Sequence, residues 1–121
     1  MIIAIVKDLF FASKIKETAS QLNKSIIFIK NYAELNNLLD YHENKKDKNP
    51  IALIIIDLNF NEMRPLETII KIKNNEELKN AKIIAYCSHV QTDLIKKAKK
   101  LGAESIPKSL LTKKLPKIIK N

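Results

Sequence analysis

The chain predicts a doubly wound α/β fold, a parallel sheet of five strands with helices on both faces. Three observations carry that expectation. The apolar pattern switches repeatedly between short strand-like runs and stretches at helical spacing, with short connections. One run, Ile51-Ala52-Leu53-Ile54-Ile55-Ile56, is continuously apolar, as central strands buried on both faces of a parallel sheet are. It ends abruptly in Asp57. A carboxylate does not stay in a dry interior without a large desolvation cost, so Asp57 is expected to emerge where the strand ends. In open α/β sheets the carboxyl ends of the strands are where ligands and chemistry sit, which places Asp57 at the functional edge.

The elements follow in order. Ile2 to Val6 reads as the first strand, and residues 10–23 carry Phe11, Ile15, Ala19 and Leu22 at helical spacing, with Ser13 and Lys14 outward. Ser25 to Ile29 reads as the second strand. Residues 32–43 place Tyr32, Leu35, Leu38 and Leu39 on one helix face, with Asn31 as N-cap. Residues 44–50 form a polar loop closed by Pro50, before the strand that ends at Asp57. A third helix begins near Pro65, a good first-turn residue, with Ile69, Ile70 and Ile72 along it. Residues 82–88 read as a fourth strand. A helix through Leu94, Ile95, Ala98 and Leu101 stops at Gly102, the sole glycine and a natural left-handed cap. A brief strand at residues 105–107 precedes a last helix with Leu111, Leu115, Ile118 and Ile119. Pro116 conflicts with that helix, which is expected to start or kink there.

At 121 residues this is one domain, residues 1–121, with no internal repeat or low-complexity linker. No apolar stretch approaches the length of a transmembrane helix, and the first residues lack the basic and small-residue features of a signal peptide. A single cysteine, Cys87, fits a reducing cytoplasm. The formal net charge is +9, yet only Arg64 among the 22 basic residues is an arginine. Arginine is the preferred reader of bases and phosphates, so nucleic acid is disfavoured as a partner. Residues 91–121 hold nine lysines against two acids, Asp93 and Glu104, so a basic partner surface is expected there if anywhere.

With these residues in view, the chain resembles the receiver domain of bacterial two-component response regulators, the CheY-like family. The resemblance covers essentially all 121 residues. Asp57 matches the phosphoacceptor at the end of the third strand, and the loop from Asp57 to Glu67 has the length receivers use before their third helix. Lys100-Leu101-Gly102-Ala103 is similar to the turn ending a receiver's fourth helix, and Lys108 lies near the lysine that follows the fifth strand. The resemblance implies a flavodoxin-like sheet of order 2-1-3-4-5 flanked by five helices. It also implies an aspartyl phosphate formed by attack on a phosphohistidine or small acyl phosphate. Mg²⁺ held by Asp8 and Asp57, with Asn59, would neutralise the charge. A lysine and a hydroxyl would contact the phosphoryl group.

Against that pattern the chain departs in several places. Two adjacent acids usually follow the first strand of a receiver; here they are Lys7 and Asp8. The Lys7 ammonium either stands in for the metal beside Asp57 or points to solvent. The hydroxyl position falls on Cys87 without a gap, or on Ser88 with a shift of one, and a thiol is a weak donor. Asn61 and Pro65 replace the family's loop proline and helix-opening glycine. Ser105 or Ile106 occupies the place of the switch aromatic, and Lys108 sits one residue closer to Gly102 than usual and is followed by Ser109.

The bland alternatives are a strand-end acid for Asp57, a helix N-cap for Asp8 and an exposed lysine for Lys7. Cys87 and His89 do not assemble a catalytic pair, since nothing orients the histidine, and His42 reads as a solvated residue at a helix end. Two distant histidines and one cysteine make no zinc site, and one glycine builds no nucleotide loop.

The reading that results is a stand-alone, cytoplasmic, atypical receiver-like module, not an enzyme, acting by protein–protein docking with a degraded phosphorylation site. The partner surface comprises Lys96, Lys97, Lys99, Lys100, Lys113, Lys114 and Lys117. It faces a histidine kinase, an acidic output protein or a second copy of the chain. A functional phospho-receiver using Asp57 with Mg²⁺ is the first alternative. A basic module binding nucleic acid through its C-terminal lysines is the second.

Overall fold

The structure, a computed structural model, describes residues 1–44, 50–87 and 91–120. The elements run β1 (Ile2–Ile5), α1 (Leu9–Gln21), β2 (Ile26–Phe28), α2 (Tyr32–Asn44), β3 (Leu53–Asp57), α3 (Pro65–Lys73), β4 (Lys82–Cys87), α4 (Thr92–Lys100), β5 (Glu104–Pro107) and α5 (Lys108–Lys120). One five-stranded sheet has the order β2-β1-β3-β4-β5, and every neighbouring pair is parallel. The expected doubly wound architecture is therefore the observed one. The loop residues 45–49, and Ser88 and His89, lie outside the described residues.

Side-chain alternation along the strands sorts the core into two layers. Ile3, Ile5, Ile54, Ile56, Ile83 and Ala85 pack with Leu35 of α2, Ile69 and Ile72 of α3 and Ala98 of α4. Ile2, Ala4, Leu53, Ile55, Ile84 and Tyr86 pack on the other face with Phe11, Ile15 and Ala19 of α1 and Leu111, Leu115 and Ile119 of α5. Central β3 is buried at every residue, as its unbroken apolar run requires. The strand begins at Leu53 rather than Ile51, because Ala52 is exposed and its backbone N–H is drawn to the Met1 carbonyl at 3.1 Å.

Local chemistry fixes the helix ends. Asn31 caps α2, its Oδ1 accepting from the Glu34 N–H at 2.9 Å. Pro65 opens α3 after a single 3-10 turn at Asn61–Met63. Along α3, Ile69 and Ile72 are buried, while Ile70 is 44% exposed and faces away from the sheet. Gly102 follows α4 at φ +100°, a backbone conformation that favours glycine, while the nearest atom to a Cβ there would be the movable end of Lys73.

The expected break at Pro116 does not occur. Helix α5 runs unbroken through it, because Pro116 is exposed and the Thr112 carbonyl it leaves without an intrahelical donor is only part-buried. Replacing Pro116 with Ala should restore that bond and raise stability by about 1–3 kcal/mol in chemical denaturation. An unchanged midpoint would mean that the helix does not gain the bond at that position.

Candidate functional site

The carboxyl ends of β1, β3 and β4 and the start of α5 bring together Asp8, Asp57, Tyr86, Cys87 and Lys108. Asp57 is the last residue of β3, yet it is only 3% exposed. The expectation that the acid emerges into solvent thus needs correction: the strand ends there, but the carboxylate stays under cover. Its Oδ1 accepts from the Asn59 N–H at 2.8 Å, closing a tight turn. Burial pushes the Asp57 carboxyl above its ordinary value. The Asn59 and Lys7 backbone N–H groups, the Tyr86 hydroxyl and the Lys108 charge pull it down again without cancelling the rise.

Asp8 does two jobs. It caps α1, with Oδ1 accepting from the N–H groups of Phe10 at 2.9 Å and Phe11 at 3.4 Å. Its Oδ2 accepts from Lys108 Nζ at 2.8 Å. The lysine holds the Asp8 carboxyl below its ordinary value, aided by the two capping N–H groups, while desolvation opposes them. The Lys108 ammonium also stands over the Phe11 ring, 5.0 Å from its centroid. Lys108 therefore pairs with Asp8, and its charge also acts on Asp57, despite its unusual spacing from Gly102.

Lys7 does not place its ammonium against Asp57. Its Nζ lies 3.3 Å from Glu62 Oε1 in an exposed pair, and only its backbone N–H acts on Asp57. An amine on a flexible stem gains more by staying hydrated beside Glu62 than by entering the buried edge.

Cys87 is buried at the end of β4, and burial, reinforced by the Asp57 charge, pushes its thiol up, so it stays protonated. Asn59 Nδ2 donates to Gln91 Oε1 at 2.6 Å, tying the loop after β3 to the start of α4. The fifth strand offers Ser105, buried, and Ile106, which pairs in register with Tyr86. The lysines Lys96, Lys97, Lys99 and Lys100 of α4 and Lys113, Lys114 and Lys117 of α5 are all exposed.

Tyr86 is the residue that sequence reasoning missed. It is fully buried and pairs in register with Asp57, so the two side chains share a face of the sheet. Its ring meets Phe11 edge-on at 5.1 Å. The hydroxyl lies close enough to Asp57 for each to shift the other's proton affinity, yet no hydrogen bond of good geometry forms.

Among the described residues no group of three or more His, Cys, Asp or Glu side chains gathers to hold a metal. Asp8 nonetheless pairs with the Lys108 ammonium, whose charge also acts on Asp57. That donor set fits Mg²⁺, which takes one or two protein carboxylates and completes its shell with water and phosphate oxygens. Lys108 would have to yield one oxygen of Asp8.

No known protein family and no curated protein matches the chain by sequence. Solved structures do match. A response regulator from Thermotoga maritima is 23% identical with a TM-score of 0.72, covering 99% of this chain and 97% of its own. The phosphorylated cyanobacterial phytochrome response regulator RcpA is 20% identical with a TM-score of 0.77, covering 98% and 87%. The Mn²⁺-bound form of response regulator Rcp1 is 19% identical with a TM-score of 0.74, covering 98% and 88%. The chain thus has the fold of response-regulator receiver domains, from end to end. Among the described residues no helix is long and apolar enough to cross a membrane.

The two carboxyls respond oppositely to pH. Asp8 titrates lower in the fold than unfolded, so its ionisation stabilises the protein above the ordinary carboxylate range. That contribution is lost as pH falls through the depressed value. Asp57 titrates higher in the fold, so its ionisation costs stability increasingly as pH rises from the ordinary carboxylate value through the raised one. Asp8→Asn, which keeps a good N-cap, should lower the thermal midpoint at neutral pH, whereas Asp57→Asn should raise it. Both differences should shrink in strong acid. Thermal melts across pH check this, and two shifts of the same sign would contradict it.

Proposed function

We propose that this chain is a signalling module of the two-component class in which Asp57 accepts a phosphoryl group and α4 and α5 present the docking surface. The observation that carries this reading is the meeting of Asp57, Asp8 and Lys108 at the carboxyl edge of a sheet of order β2-β1-β3-β4-β5. A matching structure captured in a phosphorylated form and another holding Mn²⁺ lend it support.

The chemistry needs little from the protein beyond positioning and charge. An Asp57 carboxylate oxygen attacks phosphorus as the bond to the leaving nitrogen or oxygen of the donor breaks. The leaving group keeps the bonding pair, and an acyl phosphate forms. Two anions meet in that step, and Lys108 supplies the fixed positive charge. Mg²⁺, when bound between Asp8 and Asp57, would neutralise charge on the phosphoryl oxygens. Asp8 orients Lys108, and the turn through Asn59 holds one Asp57 oxygen in place. No catalysis of other substrates is implied. A histidine kinase or small acyl phosphate is the expected donor, in the cytoplasm.

For output, the exposed lysines of α4 and α5 fit an acidic protein partner, with electrostatics setting association rate more than affinity. A second reading has its own support. Asp57 is nearly inaccessible and both Asp8 oxygens are engaged, which suits a fixed docking module that no longer takes phosphate.

Acetyl phosphate with Mg²⁺, followed by intact mass, separates the two. A single phosphoryl adduct that is absent from Asp57→Asn is expected, and its absence at millimolar reagent would leave the fixed docking module. Charge reversal at Lys96, Lys97, Lys99 and Lys100 should abolish capture of the partner in a pull-down. Unchanged capture would move the docking face elsewhere.

A further inference from the structure

We propose that Tyr86 supplies the hydroxyl of this site, its Oη donating to the anionic oxygens carried by Asp57. The inference rests on the reading of Asp57 as a phosphoryl acceptor and adds a residue to it.

The argument begins with an orphan. Tyr86 is 0% exposed, and among the described residues its Oη has no hydrogen-bond partner. Buried hydroxyls are paired in the large majority of proteins, so a phenol without an acceptor calls for one. Its surroundings show where that acceptor sits. Asp57 is its register partner on β3, and both side chains lie on the α1–α5 face. Asp8 acts on the phenol more weakly, and its two oxygens are already taken by the capping N–H groups and Lys108. At Asp57, Oδ1 accepts from the Asn59 N–H, and the Lys7 backbone N–H also acts on the carboxylate, whose oxygens still have lone pairs to spare. The second Asp57 oxygen, or an oxygen of a group bonded to Asp57, is the acceptor that completes the phenol.

Two further features make Tyr86 a donor rather than a bystander. Burial and the Asp57 charge both favour the protonated phenol. Its ring also meets Phe11 edge-on, and Phe11 itself lies under the Lys108 ammonium, so the phenol is packed beside the acids' counter-charge. The neighbouring Cys87 cannot take this part, since a protonated thiol is a weak donor. A hydrogen bond from a neutral phenol to an anionic oxygen is charge-assisted and therefore among the stronger ones. It strengthens as charge on the acceptor grows.

The test is a beryllofluoride titration with Mg²⁺, read by NMR shifts, on the wild type, Asp57→Asn, Tyr86→Phe and Ile84→Val. Tyr86→Phe keeps the ring and deletes only the hydroxyl. It should bind about ten-fold more weakly while its melting point does not fall. Ile84→Val thins the same core face and should lower the melting point while leaving affinity unchanged. Wild-type binding with an equal affinity for Tyr86→Phe would overturn the inference and leave the Asp57 reading standing. A loss in Ile84→Val as large as in Tyr86→Phe would assign the effect to packing and overturn it too. Failure of the wild type to bind would overturn the Asp57 reading and this inference together.

Discussion

A carboxylate sits at the end of a strand that is buried on both faces, and the arrangement of the whole carboxyl edge answers to that one constraint. Asp57 is 3% exposed and flanked by apolar layers on each side of β3. A charge so placed is tolerated only with donors and a counter-charge close by. The fold delivers them because all five strands are parallel, so every strand-to-helix junction opens at the same edge. The β1–α1 junction brings Asp8 and the β5–α5 junction brings Lys108, joined at 2.8 Å though 100 residues apart in sequence. The turn after β3 brings the Asn59 N–H. Helix packing on the two faces is thus what holds the charge balance of the site.

In α4 only Ala98 is fully buried, and Lys97, Lys99 and Lys100 fill the last turn, where cations favourably meet the carbonyl end of the helix. Lys117 and Lys120 do the same for α5. Part of the positive charge is therefore helix-stabilising in its own right. The same side chains are exposed on two helices that flank β5 from opposite faces of the sheet.

How far the sequence could be read depends on what each signal reports. The unbroken apolar run before Asp57 located the central strand and its end, because a strand buried on both faces is apolar throughout. Helical spacing identified Phe11, Ile15 and Ala19 as one buried face, and they are. The same uniform burial hid Tyr86. In a strand with two apolar faces nothing in the pattern says which face a residue takes, so only the register with Asp57 shows it. Lys7 misled for a related reason: position after a strand fixes the backbone N–H, which does reach Asp57, but not where a long side chain turns. Lys108 looked displaced when counted from Gly102. In space it opens α5 directly after Pro107, and a helix's first residue can reach back across the edge.

Lys7 beside Asp8, just beyond the end of β1, bears on the electrostatic problem at this edge. A second carboxylate beside Asp8 would add a like charge near Asp57 and raise that carboxyl further, which is the situation that makes a divalent cation indispensable. Here Lys7 is neutralised at the rim by Glu62, and Asp8 is paired with Lys108. The buried edge is left with Asp57 as its remaining negative charge, moderated by backbone N–H groups and the proximity of a phenol. A single desolvated carboxyl can be held by dipoles and one lysine where a cluster of three cannot. The charge on Asp57 is therefore met by fixed donors of the chain, while Lys108, paired with Asp8, adds a positive charge nearby.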